Sequence, residues 1–289
     1  MIKLTYKPDK AEDEIVGPQI KRAQEIIDKY QNQITKNIAI SVGGDGTHVY
    51  STLENPNDEL LFIRTTGNRS TNYLPDNSID ELEDCLEQIK LGTYILSTVS
   101  RLNVKLNGKT VGDCLQDAWI ERDSNTIECA INVYDFQEKR NLWNDLTKLD
   151  VLVVCNPFGA SAYAHSVSFP IMEWDAQAIG IAQVAPSRSL VGRAGYIFPT
   201  NIGDRRVTVT LAGWEGEAGK LCTDYGAKIN VKHGDTIEFS KSDNTNQIIR
   251  INPEPISTKQ LRKQEINLIA MHKDLGTITE LENLIKVHR

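Results

Sequence analysis

Hydrophobic and polar positions follow two different periods along the first part of the chain. The apolar runs MIKLTY, NIAISV and LLFIRT are short and continuous, which is typical of buried strands. Residues 17–30 and the segment THVYSTLEN predict helices. A further helix is predicted over residues 78–92, with a capping box from Ser78 to Glu81 and Gly92 as its stop. This alternation predicts a small α/β unit with a parallel sheet.

The pattern changes after Gly92, where strand-like runs follow one another with turns between them. These runs are YILSTVSRLNVKLNG, DAWIER, TIECAINVYDF, VLVVCN, RVTVTLAG, AKINVKHGD and TIEFSKS. One helix is predicted in this part, over ASAYAHSVSFPIM, and the tail returns to helix. We therefore predict an α/β domain over residues 1–95 and a β-rich domain over 96–256. The terminal helices, about 257–289, are candidates to pack back on the first domain.

Composition narrows the range of partners and locations. The chain has 289 residues, 40% of them hydrophobic, which is enough to bury a sizeable core. A net charge of −7 argues against a nucleic-acid-binding protein, which usually carries a basic face. No apolar stretch approaches the roughly 20 residues of a membrane span, so no membrane partner is expected. Five cysteines without a C-x-x-C pair argue against zinc and a disulfide framework, and predict a reduced, cytoplasmic protein.

A glycine-rich turn, SVGGDGTHVY, comes directly after the second predicted strand and before a helix. Gly43, Gly44 and Gly46 let a ligand approach the backbone, and the helix start offers N–H groups to a phosphate. Thr47 can cap the helix or add a hydroxyl contact. Asp45 could hold a hydrated Mg²⁺ or accept a proton from an attacking hydroxyl, or it could merely cap a structural turn. The Walker A and Rossmann patterns are both absent.

Two motifs give the chain a family resemblance. VGGDGT is similar to a signature that the NAD kinases share with the diacylglycerol and sphingosine lipid kinases. NPFGASAYAHSVSFPIM resembles the NAD kinase stretch T-P-T-G-S-T-A-Y-S-L-S-A-G-G-P-I, and VAPSRSL and CTDYGAKINVKHGDTIEFSKS resemble its later segments. The residues that match the stretch in register are Pro157, Gly159, Ala162, Tyr163, Ser166, Pro170 and Ile171. Together these matches favour the NAD kinases and their two-domain fold.

The resemblance implies a reaction and a set of contacts. A phosphate from ATP, with Mg²⁺, would pass to the 2′-hydroxyl of the adenosine ribose of NAD in a cleft between the two parts. Asp45 would contact the ribose and act as general base. Ser161, Ala162 and Tyr163 would line a base, and Asp150 would reach the nicotinamide amide. The candidate nucleotide contacts are Gly43, Gly44, Gly46, Thr47, His48, Gly67, Asn68, Arg69, Gln116, Asp117, Asp150, Ser161, Ala162, Tyr163 and Ser166. A homodimer or homotetramer is also implied.

Several positions depart from the family pattern and keep alternatives open. Gln116 and Asp117 stand where the family has Asn-Glu or Asn-Asp, and Asn156 and Phe158 replace two threonines. These changes favour a second hypothesis, a nucleotide-binding sensor without catalysis. RTTGNRSTNYLP replaces a family glycine segment and also resembles the lipid-kinase G-T-x-N-D-F, so a lipid kinase is a third hypothesis. His48 replaces an apolar residue and would either contact a phosphate or face solvent.

Overall fold

The described residues fold into two compact units in the computed structural model of the chain. One unit contains residues up to Ser97 and those from Gln247 onward, and the other contains Thr98–Asn246. The structure describes residues 1–66, 73–167, 169–187, 195–200, 205–212, 218–224, 226 and 228–261. An α/β part with a parallel sheet and a glycine loop, and a β-rich part, are both present, which confirms the predicted fold class.

The helices and strands follow one another in this order. The helices are α1 (Val16–Tyr30), α2 (Asp45–Glu54) and α3 (Leu82–Leu91). The first strands are β1 (Ile2–Thr5), β2 (Ile38–Gly43), β3 (Glu59–Arg64), β4 (Asn77–Ser78), β5 (Ile95–Leu106), β6 (Lys109–Cys114), β7 (Asp117–Arg122) and β8 (Ile127–Asp135). The others are β9 (Arg140–Leu149), β10 (Val151–Cys155), β11 (Ala178–Val184), β12 (Gly195–Pro199), β13 (Arg205–Ala212), β14 (Ala218–Thr223), β15 (Ile229–Lys232) and β16 (Thr236–Arg250). Residues 256–261 are helical.

The first unit is a parallel sheet with helices on its faces. Strand β2 lies between β1 and β3, and the last residues of β16 pair with β3 on its other side, all in parallel. Every residue of β2 is buried, as expected for a strand that is covered on both faces. Ile27 of α1 packs with Ile40 of β2 in one hydrophobic cluster. Ser41, the next residue, bonds Ser51 of α2, so α2 covers the opposite face.

The second unit contains two antiparallel sheets around one core. One sheet has the order β16-β13-β8-β9, and the other has the order β12-β11-β10-β7-β14-β15. A single hydrophobic cluster includes Ile131 and Val209 of the first sheet and Ile120 and Val154 of the second. Because the inner faces of both sheets contribute to this cluster, the unit is a β-sandwich. The chain passes between the two units along β5 and β16.

The helix predicted over residues 160–172 is wrong. The structure has two short 3₁₀ segments there, Gly159–Ser161 and Ala164–Val167. Ala162 between them has a ψ of −123°, which no helix accommodates. In the tail, residues beyond 261 lie outside the described part, so the second predicted capping box and the packing of the terminal helices stay predictions. Among the described residues no helix has both the length and the apolar character needed to cross a bilayer.

Candidate functional site

The glycine turn after β2 depends on the small size of Gly43. This residue has a φ of +154°, and a Cβ added to it would lie 2.7 Å from the hydroxyl oxygen of Thr47. Only glycine fits such a backbone without displacing Thr47. Gly44 is the N-cap of α2, and its carbonyl accepts the N–H groups of Thr47 and His48. Gly46 is exposed. The turn therefore presents the positive end of α2 through an open backbone.

Asp45 is the first residue of α2, and its carboxylate is fixed by backbone groups. Its Oδ2 accepts the N–H of Tyr73 at 2.9 Å, and its Oδ1 accepts the N–H of Leu74 at 2.8 Å. The residue is only partly buried. Each carboxylate oxygen can accept more than one hydrogen bond, so the same group retains acceptor capacity. Asp45 thus has a structural role, which the sequence left open, and can still receive a proton.

His48 lies beneath the glycine turn, which differs from both expectations for it. The residue is fully buried, with Nδ1 2.9 Å from the hydroxyl of Ser41 and its ring stacked on Phe62 at 4.7 Å. Burial lowers the pKa of His48 to about 4, so the ring is neutral near neutral pH. Thr47 is also buried. Of the other candidates in this unit, Gly67, Asn68 and Arg69 lie outside the described residues.

Two aspartates of the second unit, the buried Asp117 and the half-buried Asp224, lie at one end of a pair of antiparallel strands. Thr223 of β14 pairs with Ala118 of β7, so Asp224 and Asp117, one position further along each strand, stand opposite one another. Asp117 accepts the N–H of Tyr163 at 3.4 Å, and Asp224 accepts the N–H of Gln116 at 2.6 Å. The sequence analysis assigned a contact to Asp117 and none to Asp224.

These two carboxyl groups have raised pKa values. Burial, together with the charge of Asp224, raises the pKa of Asp117 to about 8. Burial also raises the pKa of Asp224, to about 6, although backbone N–H groups and Arg101 act in the opposite direction. Since the two charges repel each other, the pair retains a proton near neutral pH. One of these groups can therefore donate a hydrogen bond while the other accepts one.

An aromatic pair stands next to these aspartates. Tyr163 is half-buried and meets the ring of Trp119 edge to face, with 5.8 Å between the centroids. Trp119 donates its indole N–H to Glu121 at 3.1 Å, and Lys228 bonds the other oxygen of Glu121 at 2.6 Å. Rings held in this way offer a rigid apolar surface for a flat ligand group. Trp119 was not among the sequence candidates.

The remaining candidates of the 3₁₀ region differ in exposure. Ser161 is buried, Ala162 is half-buried and Ser166 is exposed, all within a few residues of Tyr163. Buried apolar residues, among them Phe169, pack against this region. The structure thus brings Gln116, Asp117, Ser161, Ala162, Tyr163 and Ser166 into one neighbourhood.

Asp150 is separated from that neighbourhood. It precedes β10, whereas the 3₁₀ region follows the other end of the same strand. Five strand residues lie between them, which corresponds to roughly 17 Å along the strand. Asp150 pairs instead with Arg122 at 3.1 Å, and both side chains are partly exposed. The structure does not bring Asp150 together with Asp117 and Tyr163.

Asn156 and Phe158, which stand in place of two family threonines and favoured the sensor hypothesis, point into the interior. The Asn156 amide donates to the carbonyls of Ser100 and Leu115, each at 2.7 Å, and its oxygen accepts the N–H of Gly159. Phe158 is fully buried, with its ring 5.0 Å from that of Trp174. Both residues therefore hold the chain in place, and neither side chain supports the sensor hypothesis by an exposed change.

Gly159 is expected to be intolerant of a side chain. A Cβ there would lie 2.1 Å from the carbonyl oxygen of Gln116, a backbone atom that cannot rotate away. We expect Gly159→Ala to lower the free energy of unfolding by about 2–3 kcal/mol in urea titrations. Gly92→Ala is the comparison, because it meets no atom within 4 Å and has only a φ of +74° to oppose it. Its expected cost is about 1 kcal/mol, and equal losses in the two variants would contradict the close-approach argument.

Comparison with known proteins finds similarity to NAD kinases in sequence and in fold. No family model matches the chain. The NAD kinase of Thermoplasma acidophilum is 27% identical to it over 214 residues, covering 74% of each protein. The crystal structure of an NAD kinase from Archaeoglobus fulgidus in complex with ATP superimposes with a TM-score of 0.67 at 18% identity, covering 92% of this chain and 98% of that one.

A second solved structure has the same fold. Yeast NADH kinase, complexed with NADH, gives a TM-score of 0.68 at 13% identity, covering 91% of this chain and 85% of that one. The two-domain fold that the resemblance implied is therefore confirmed. Identity at these levels is low, which agrees with the many departures from the family motifs.

Proposed function

We propose, from its similarity to NAD kinases in sequence and in fold, that the chain is a divergent NAD kinase and hence a phosphotransferase. It transfers the terminal phosphate of ATP to the 2′-hydroxyl of the adenosine ribose of NAD, giving NADP and ADP. The observation that carries this proposal is the carboxylate of Asp45, held at the start of α2 by two backbone N–H groups directly after the glycine turn.

Asp45 is the proposed general base. As the 2′-oxygen attacks the terminal phosphorus, its proton passes to a carboxylate oxygen of Asp45, and the bond from phosphorus to the bridging oxygen breaks to release ADP. Proton transfer to a positioned base contributes about 10²–10⁴-fold to a rate. Positioning and charge neutralisation supply most of the remaining acceleration in phosphoryl transfer. The helix start at Gly44 and Gly46 is suited to charge neutralisation, because its N–H groups favour phosphate oxygens.

Mg²⁺ would neutralise phosphate charge in this reaction. Within the residues that the structure describes, no group of three or more His, Cys, Asp and Glu side chains could hold a metal ion by itself. Mg²⁺ does not require such a group, since it usually retains waters and binds one or two carboxylates together with substrate phosphates. Because Asp45 is the base in this proposal, the substrate phosphates and waters would hold the ion beside the glycine turn.

The second unit is proposed to bind the nucleotide. Tyr163 and Trp119 offer an aromatic surface to a base, and Ser166 is an exposed hydroxyl beside it. Asp117 and Asp224 retain a proton between them, so they can both donate to and accept from sugar or amide groups. The homo-oligomer and the cytoplasmic location stay predictions.

The test is an assay of the purified full chain with NAD, ATP and Mg²⁺, with NADP detected by an NADP-specific cycling enzyme. NADP formation that requires ATP supports the proposal. Calorimetric binding of NAD without any NADP would overturn it in favour of a nucleotide sensor. A labelled diacylglycerol phosphate formed from a lipid vesicle, with no NADP, would overturn it in favour of a lipid kinase.

A further inference from the structure

The backbone of one residue, Leu74, joins Asp45 to a buried lysine, Lys259. The N–H of Leu74 donates to Oδ1 of Asp45 at 2.8 Å. The carbonyl of the same residue accepts a hydrogen bond from Nζ of Lys259 at 3.0 Å. Leu74 is itself 1% exposed, and its bond to Lys259 is fully buried. The lysine and the aspartate therefore hold the same short segment from its two polar sides.

The side chain of Lys259 is buried and held by several contacts. It lies in the helical residues 256–261 and is 2% exposed, which is rare for a lysine unless its charge is paired. Its ammonium group lies 2.7 Å from Oδ1 of Asp76 and 5.8 Å from the centre of the Tyr73 ring. Asp76 is in turn held by Arg250, at 2.7 and 2.9 Å. The ammonium group cannot move without leaving Asp76 a buried charge with one partner fewer.

The consequence for Asp45 follows from where its carboxylate is held. Both described bonds to its oxygens come from the consecutive N–H groups of Tyr73 and Leu74. If the Leu74 carbonyl loses Lys259, the two N–H groups lose their fixed position, and the carboxylate gains freedom to rotate. A displacement of the reacting groups by about 1 Å can cost 10²-fold in rate, so a small rotation is sufficient to matter.

We infer that Lys259 is a positioning residue for phosphoryl transfer, an assignment that rests on the function proposed above. It orients the general base through the backbone N–H and carbonyl groups of Leu74 and touches neither substrate nor reacting atoms. This role predicts an effect on kcat without a matching effect on KM, because the contact sets the geometry of the base and leaves nucleotide binding unchanged.

The test compares three variants of the full chain. Lys259→Met preserves the length of the side chain and removes its charge and donors, and we expect kcat for NADP formation to fall about 10- to 30-fold with KM for both nucleotides within about two-fold. Lys259→Arg keeps donors for the Leu74 carbonyl and Asp76, and is expected to recover kcat to within about three-fold of the wild type. Arg250→Met is the matched control, because it removes bonds to Asp76 while Lys259 remains on Leu74. Its kcat is expected to stay within about two-fold, with a fall in Tm like that of Lys259→Met.

A second measurement does not depend on turnover. Hydrogen exchange of the Tyr73 and Leu74 amides, followed by NMR at a temperature where every variant is folded, should become about ten-fold faster in Lys259→Met and stay at the wild-type rate in Arg250→Met. A kcat loss of equal size in both methionine variants, or unchanged exchange at both amides in Lys259→Met, would overturn the positioning role. If the wild type forms no NADP, the proposed function fails, and the exchange rates still decide whether Lys259 holds this segment.

Discussion

Replacing Asp45 by asparagine is expected to lower kcat for NADP formation by about 10²–10⁴-fold, because the amide cannot take the proton of the 2′-hydroxyl. The KM values should change little, since the nucleotide contacts remain. The measurement is initial-rate kinetics with NAD and ATP varied independently. The variant should also lose about 1–3 kcal/mol of stability, because the amide NH₂ would face one of the N–H groups of Tyr73 and Leu74.

The control must distinguish the loss of the general base from the loss of the hydrogen bonds that Asp45 accepts from the backbone. Asp13 offers a matched case in the same unit, because its carboxylate accepts the N–H groups of Ile15 and Val16 at 2.9 and 3.0 Å before α1. Those two bonds hold the pKa of Asp13 below its ordinary value. Asp13→Asn is therefore expected to cost stability and to leave kcat unchanged. If Asp45→Asn keeps wild-type kcat, or if both variants lose activity in proportion to their stability, Asp45 is not the base.

Local patterns in the sequence were sufficient for the first unit. The buried strand over residues 38–43, the glycine turn and the helix after it follow from an apolar run, three glycines and a helix start that are adjacent in the chain. The capping box from Ser78 to Glu81 is present, with the N–H of Ser78 donating to the Glu81 carboxylate at 2.7 Å, and Gly92 has the left-handed conformation expected at a helix end. Each of these features is decided by residues that lie close together in the sequence.

The features that the sequence did not predict depend on contacts between distant residues. Asp224 faces Asp117 only because β14 pairs with β7, and no local sequence pattern predicts that pairing. The interior direction of Phe158 is decided by its contact with Trp174 and by the hydrogen bonds that hold the neighbouring Asn156. His48 follows the same rule, since the helix that carries it turns the ring toward Ser41 and Phe62. Tertiary contacts decided these positions, and motif matching could only locate them in the chain.

The largest expected effect on stability concerns Asp117. Its pKa rises from 3.8 in the unfolded chain to about 8 in the folded one, so the folded state binds a proton that the unfolded state has released. Stability from this group is therefore complete below about pH 4 and is lost as the pH rises through about 8. Asp117→Asn removes the titration. The quantity to compare is the free energy of unfolding of the variant minus that of the wild type. We expect this difference to increase by on the order of 3 kcal/mol between about pH 5 and about pH 8.

Urea unfolding of both proteins at the two pH values measures this change. The comparison of differences cancels the titrations of groups that do not interact with Asp117. Asp13→Asn makes the same chemical change at a carboxylate whose pKa is held below its ordinary value by the N–H groups of Val16 and Ile15. Because that carboxylate stays ionised above about pH 5, the stability of this variant relative to the wild type should not depend on pH in this range. A pH-independent difference for Asp117→Asn would mean that Asp117 is ionised in the folded protein. The pair with Asp224 would then carry two charges near neutral pH, and the hydrogen-bond donor that we assign to this site would not exist.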